Sequence, residues 1–140
     1  MSQAETIAAL RAVPLFGSCS RRQLKRVAAG GWEQTYEPGQ TLCEQGAMAD
    51  DFFVILEGEA DVRRGGRKIN ALGAGDYFGE IALLRTLIER SPRTATVKAT
   101  TPMRCFLLGR SEFQKVLYEE DIAVKILRAV VQRLDASSAI

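Results

Sequence analysis

Short strand-forming runs separated by glycine-containing turns fill the middle of this chain, from residue 32 to residue 109. The run 52–56 is continuously apolar and therefore predicts a strand buried on both faces. The next run alternates apolar and charged residues, as a half-buried strand does, and Gly65-Gly66 predicts a tight hairpin after it. Seven or eight strands at this spacing favour a β-roll or jelly-roll over an open sheet.

Helical patterns flank the β-rich region at both ends, so we expect a single domain over residues 1–140. The apolar intervals predict helices within 3–29, at 111–118 and at 122–134. Three segments also have the spacing of a capping box, in which two side chains satisfy free amides at a helix start. These segments begin at Ser2, Ser20 and Ser111.

The composition excludes several classes of site. The chain has no histidine, which removes His-ligated metals and the Ser-His and Cys-His nucleophile pairs. Cys19, Cys43 and Cys105 are isolated, so they predict small buried side chains in a reducing compartment. No signal peptide is visible and no apolar run approaches the ~18 residues of a membrane span, which predicts a cytoplasmic location. A net charge of +2 is too small to favour nucleic acid or an anionic membrane.

The segments 78–84 and 92–97 carry the most chemical information. Gly79 permits a positive φ or a close backbone approach that a side chain would obstruct. A short helix beginning at Glu80 would offer free amides to an anion, and Arg93 can add a bidentate guanidinium. The carboxylate of Glu80 suits a sugar hydroxyl better than a phosphate. Together these groups describe a site for a ribose phosphate.

A second interpretation fits the same spacing. Glu80 and Arg93 would then form a structural salt bridge across a turn, and the glycines would serve only a tight β-roll. From the spacing alone the two interpretations are equally good. They differ in whether the two side chains contact each other or hold a nucleotide between them.

The segments Phe-Gly-Glu-Ile-Ala-Leu-Leu (78–84) and Pro-Arg-Thr-Ala-Thr-Val (92–97) closely resemble the phosphate-binding cassette of cyclic nucleotide-binding domains. The resemblance extends over residues 5–134 and raises ligand binding above the salt-bridge interpretation. It is also visible at 15–16, 38–39, 45–46, 53–58 and 75–76. It implies a mainly β fold with flanking α. This fold is an eight-stranded antiparallel β-roll (a jelly-roll) with N-terminal helices, a cassette helix at about 80–90 and two C-terminal helices.

The resemblance further implies a ligand and the residues that bind it. We expect a cyclic nucleotide, cAMP in preference to cGMP, and no other cofactor. Arg93 would pair with the exocyclic phosphate oxygens, Glu80 would accept the ribose 2′-hydroxyl, and Thr94 would lie beside the phosphate or the purine. The remaining implied ligand-binding residues are Gly79, Ile81 and Ala82 through their main chain, together with Phe78 and Ala95.

The C-terminal helix is implied to swing over the base as a lid. The lid candidates are Leu127, Val130, Val131 and Leu134. The same stripe, which includes Ile126, equally predicts packing against the roll and the N-terminal helices. The link 85–91 is a few residues longer than the family commonly shows. It predicts about one more turn of cassette helix, which either leaves the pocket intact or alters its rim.

The sequence predicts a regulatory binding module rather than an enzyme, because nothing supplies a general base near a nucleophile. Occupancy would pass through the C-terminal helix to an effector domain or partner protein, and a homodimer is compatible with this scheme. Two alternatives stay open: the ligand-binding part of a CRP/FNR-type transcription regulator, and a degenerate docking domain that no longer binds. The chain has no second basic helical unit, so DNA binding by this chain alone is not expected. A metal enzyme of the cupin type is not expected either, because its site would need imidazole ligands and the chain has no histidine.

Overall fold

A computed structural model gives the architecture of the chain and describes residues 3–48, 50–79, 92–118, 122–128 and 131. The N-terminal part consists of α1 (Gln3–Ala12), a 3₁₀ turn (Pro14–Phe16) and α2 (Arg21–Gly30). The strands are β1 (Trp32–Tyr36), β2 (Thr41–Cys43), β3 (Asp51–Glu57), β4 (Ala60–Arg64), β5 (Arg67–Leu72), β6 (Tyr77–Phe78), β7 (Thr96–Ala99) and β8 (Met103–Gly109). Two helices follow, α3 (Arg110–Leu117) and α4 (122–128).

The eight strands form two four-stranded sheets. Their orders are β1-β8-β3-β6 and β2-β7-β4-β5, and the neighbours are antiparallel. Each sheet takes strands from both halves of the β-rich region, so the chain crosses between the sheets several times, as in a jelly-roll. The predicted fold class, a mainly β antiparallel roll with flanking helices, is confirmed. Gly65 and Gly66 join β4 to β5 with φ of 58° and 80°, so the predicted tight hairpin is also confirmed.

Strand β3 lies between two hydrophobic cores, which explains its continuous apolar sequence. Side chains alternate along a strand, so Phe52 and Val54 pack with the helices while Phe53 and Ile55 face the interior of the roll. Strand β8, its neighbour, divides its apolar residues between the same two cores. The two central strands therefore hold the helical layer and the roll together through side chains on opposite faces.

Two of the three predicted capping boxes lie within the described residues, and their outcomes differ. At Ser20 the prediction is confirmed, because Ser20 and Gln23 exchange side-chain and main-chain hydrogen bonds at the start of α2. At Ser111 it is wrong, because α3 begins at Arg110 with Gly109 as its N-cap. The amide of Arg110 donates to the carbonyl of Asp50 (2.7 Å), so β8 leads directly into the helix. The box predicted at Ser2 lies outside the described residues.

The C-terminal helix α4 packs on the N-terminal helices. Ile122 and Ile126, one turn apart, are both buried in the core that contains α1 and α2. Lys125 on the same helix donates to the side chain of Gln23 (2.8 Å). None of the helices in the described ranges combines the length and the apolar character that are needed to cross a bilayer.

Candidate functional site

Arg93 is a buried cation held in place by its own main chain. Its side chain is only 8% exposed. Its amide donates to the carbonyl of Ala47 (2.7 Å), and its carbonyl accepts from the amide of Gly46 (2.9 Å). These two bonds join the entry to β7 to the turn after β2. The guanidinium also donates through Nη2 to the carbonyl of Asp51 at the start of β3.

Gly79 lies directly against this guanidinium. It has φ of +91°, a conformation that L side chains rarely adopt. A Cβ at this position would lie 2.7 Å from Nη1 of Arg93 and 2.8 Å from the carbonyl oxygen of Asp51. Both properties expected of Gly79, the positive φ and the close approach, are therefore present. The missing side chain is what allows the guanidinium to reach Asp51.

Two phenylalanines form an aromatic surface beside the arginine. Phe53 of β3 and Phe78 of β6 are register partners, with ring centroids 4.5 Å apart and an interplanar angle of 9°. The guanidinium carbon of Arg93 lies 5.9 Å from the centroid of the Phe53 ring, within reach of a cation–π interaction. Apolar walls lower the local dielectric, so the charge of Arg93 acts more strongly here than it would in water.

A cavity of about 340 Å³ opens next to Arg93. This volume falls within the range of small-molecule sites, about 300–1,000 Å³. The wall comes from β2, the loop after it, the start of β3 and Arg93 itself. Its residues are Thr41, Leu42, Cys43, Glu44, Ala47, Met48, Asp50, Asp51, Phe53 and Arg93.

The charge of Arg93 favours an anion at the guanidinium itself, although three acidic residues, Glu44, Asp50 and Asp51, also line the cavity. Among the residues that the structure describes, no carboxylate lies within ion-pair distance of the Arg93 guanidinium. Burial raises the pKa of Asp51, and the nearby Arg93 opposes that shift. Burial likewise raises the pKa of the Cys43 thiol, again against the pull of Arg93. The cation is thus buried with one described side-chain hydrogen bond, to a neutral carbonyl.

The predicted site residues fall into two groups. Phe78, Gly79 and Arg93 come together as described above. Thr94 is exposed, with its carbonyl accepting from Nε of Arg64 (3.2 Å), and the carbonyl of Ala95 lies 3.9 Å from the Cys43 sulfur. Glu80, Ile81 and Ala82 lie outside the described residues, as do the cassette helix at 80–90 and the link 85–91.

The lid candidates are also only partly described. Leu127 is 63% exposed and Val131 is 46% exposed, whereas Ile126 is buried. The predicted stripe is therefore divided, with Ile126 in the core and Leu127 facing solvent. Val130 and Leu134 lie outside the described residues.

Sequence reasoning missed several residues that shape the site. Ala47 and Asp51 act through main-chain carbonyls, which the identity of a side chain does not reveal. Phe53 was assigned only to a buried strand, although an aromatic residue on β3 opposite the predicted Phe78 was a usable signal. Cys43 had no pattern of its own, because its place on the cavity wall depends on the pairing of β2 with β7.

Comparisons with known proteins point to one family. The family model described as cyclic nucleotide-binding domain matches residues 33–120. The cAMP-dependent protein kinase regulatory subunit of Eremothecium gossypii is 41% identical over 109 residues, which are 77% of this chain and 23% of that protein. That of Yarrowia lipolytica is 36% identical over 110 residues, 77% of this chain and 28% of that protein. The chain thus spans about a quarter of the length of these curated relatives.

Solved structures resemble the chain over most of its length. The N-terminal domain of a transcriptional regulator from Streptomyces coelicolor superposes with a TM-score of 0.79 and 31% identity, covering 92% of this chain and 94% of that one. A mutant regulatory subunit of a cAMP-independent protein kinase A from Trypanosoma brucei was solved with cAMP bound in its A site. It superposes with a TM-score of 0.75 and 28% identity. That match covers 83% of this chain and 42% of the other.

Proposed function

The chain belongs to the cyclic nucleotide-binding domain family, and we propose that it binds cAMP in preference to cGMP and reports occupancy to an effector. The observation that supports this most directly is Arg93, a buried guanidinium at a cavity of about 340 Å³ with no described carboxylate partner. A phosphate is the ligand group that this guanidinium fits best, since it matches the two parallel donors of arginine.

The energetic reason lies in the burial of Arg93. A cation removed from water is costly unless charge or hydrogen bonds compensate it. The carbonyl of Asp51 satisfies one nitrogen of the guanidinium but carries no net charge. The anionic oxygens of a cyclic phosphate would supply the missing compensation. Gly79 leaves the space in which the arginine takes this position.

The other contacts of the proposed complex follow from the family resemblance. Glu80 would accept the ribose 2′-hydroxyl, and the main chain of Gly79, Ile81 and Ala82 would face the phosphate. Thr94 would lie at the phosphate or the purine. The other ligand-binding residues would be Phe78 and Ala95.

We propose α4 as the output element. Ile122 and Ile126 hold it against the N-terminal helices, while Leu127 and Val131 present apolar side chains to solvent. These exposed side chains could cover the purine, with Val130 and Leu134 as further candidates. A ligand that contacts the helix in only one of two positions biases the equilibrium between them. The effector would be a further domain or a separate protein in the cytoplasm.

The relatives support two alternative kinds of effector. The curated relatives are regulatory rather than catalytic subunits and are named as cAMP-dependent, which supports cAMP and a kinase-type partner. The Streptomyces coelicolor domain, matched over 94% of its length, supports a second candidate, the ligand-binding part of a transcription regulator. A regulatory module without chemistry of its own fits both. A gel shift with the full-length protein and ligand would separate the candidates.

The decisive experiment is calorimetric titration of cAMP and cGMP into the wild type and Arg93→Ala. Removing the guanidinium leaves the phosphate unpaired in a buried site, so we expect affinity to fall about 30-fold or more. Arg21→Ala is the matched control, because Arg21 is exposed on α2 and does not line the cavity. Equal affinity of the wild type and Arg93→Ala, with both folded, would refute the assignment.

A further inference from the structure

The β4–β5 hairpin places β5 at the solvent-exposed edge of its sheet. All five residues from Arg67 to Ala71 are exposed, and only the last residue of β5, Leu72, is partly buried and packs on the interior core. Side chains on both faces of β5 are therefore in solvent. Ile69, an apolar residue in the middle of the strand, is 48% exposed.

The tip of this hairpin concentrates positive charge. Its cations are Arg63, Arg64, Arg67 and Lys68. A single carboxylate, Asp61, pairs with two of them, Arg63 (3.4 Å) and Lys68 (3.2 Å). The side chain of Arg67 makes no hydrogen bond or ion pair with any residue in the described part of the chain. Four cations against one carboxylate leave a strong local excess of positive charge, although the net charge of the whole chain is only +2.

The tip is also anchored. The amide of Gly65 donates to the side-chain oxygen of Gln45 (2.9 Å), and Nε of Arg64 donates to the carbonyl of Thr94 (3.2 Å). These bonds tie the turn to loops on the body of the roll. The hairpin thus presents its charges from a fixed backbone, which reduces the ordering that a partner would have to impose.

The outer edge of β5 completes the surface. In the sheet order β2-β7-β4-β5 it is the last strand, paired with β4 alone among the described strands. An edge strand presents main-chain donors and acceptors that can pair with another extended chain. The edge of β5 therefore combines main-chain donors and acceptors, the exposed side chain of Ile69 and the positive charges of the hairpin tip.

We propose that this edge, defined by Arg67, Lys68 and Ile69, docks an acidic, extended segment of a partner protein as an added strand. The carboxylates of the segment would meet Arg67 and Lys68, and an apolar side chain would cover Ile69. A nucleic acid or a membrane could use the charges but not the main-chain ladder, so the combination points to a peptide. The proposal does not depend on nucleotide binding.

Fluorescence anisotropy with a labelled synthetic peptide tests this surface in the full chain. The probe has about ten residues, a normal strand length, and repeats Glu-Glu-Val, because Arg67 and Ile69 share one face of β5 and Lys68 lies on the other. The test variant is Arg67→Glu, and the matched control is Arg21→Glu, which makes the same charge change at another exposed arginine without a described partner. At low salt we expect Arg67→Glu to weaken binding about fivefold and Arg21→Glu to leave it within about twofold. Thermal unfolding verifies that both variants fold.

Three further probes separate the peptide from other anions. A peptide with proline in place of each valine loses those amide donors and has φ fixed away from the β value, so it should bind much more weakly. Phosphatidylserine vesicles and single-stranded DNA should bind more weakly than the peptide. The β5 amides should exchange more slowly in the complex. The proposal fails if the peptide does not bind, if both charge variants weaken it equally, if the proline peptide binds as well, or if vesicles or DNA bind more tightly.

Discussion

Gly79 offers a test of the candidate site that separates backbone strain from steric contact. Gly79 and Gly75 both have φ of +91°. A Cβ at Gly79 would lie 2.7 Å from Nη1 of Arg93 and 2.8 Å from the carbonyl oxygen of Asp51, whereas a Cβ at Gly75 would meet nothing within 4 Å. Alanine at either position would therefore have to adopt the same unfavourable φ, and only at Gly79 does it also displace the arginine.

The magnitudes follow from this geometry. A non-glycine residue in the left-handed region costs about 1–2 kcal/mol, so both Gly75→Ala and Gly79→Ala should lose at least that much stability. Gly79→Ala should lose more, because the Asp51 carbonyl belongs to the backbone of β3 and cannot move away as a side chain can. The guanidinium would have to give up its bond to that carbonyl. We expect cAMP affinity to fall at least about tenfold in Gly79→Ala and to stay within about twofold in Gly75→Ala.

Urea unfolding and calorimetry on the two variants and the wild type measure both quantities. If Gly79→Ala loses stability but binds cAMP as the wild type does, the position of Arg93 against Gly79 has no part in binding. If Gly75→Ala weakens binding as much as Gly79→Ala, the loss reflects general strain in the roll. Either result would contradict the reasoning.

Two other predictions concern stability. Ser20→Ala removes the N-cap of α2 and should lower the free energy of unfolding by about 1 kcal/mol, measured by urea titration, with cAMP affinity unchanged. Asp51→Asn tests the raised pKa of that half-buried carboxyl. A carboxyl with a raised folded-state pKa destabilises the fold when it is ionised, so stability should fall as pH rises through that pKa. Asp51→Asn should therefore be more stable than the wild type at neutral pH, with the difference disappearing below the ordinary aspartate pKa. A constant difference across pH would contradict this.

The fold could be predicted from local pattern to a large extent. The continuous apolar run at 52–56 required burial on both faces, and β3 has it because a core lies on each side. Gly65-Gly66 determined a hairpin by its conformational freedom alone. Ser111 shows the limit of such reasoning. Its sequence has the spacing of a capping box, but α3 has Gly109 as its N-cap, two residues before Ser111, and Arg110 is held there by its long-range bond to Asp50.

The candidate site was predictable only where side-chain identity carries the chemistry. Arg93 and Gly79 were recognisable because a charge and a missing side chain are both visible in the sequence. The carbonyls of Ala47 and Asp51 were not, since every residue has one and only the fold decides which carbonyl meets the arginine. The division between Ile126 and Leu127 depended on which face of α4 packs against the core.

The alternation along β3 has a consequence for how the domain can respond to what enters its cavity. Phe53 is part of the cavity wall, and Phe52, the adjoining residue, touches Phe16 of the 3₁₀ turn with ring centroids 5.9 Å apart. One peptide bond thus connects the lining of the cavity to the helical layer on the far side of the sheet. Close packing leaves little slack on either face. A shift of this strand that accommodates an occupant is therefore felt by the helices without any intervening relay.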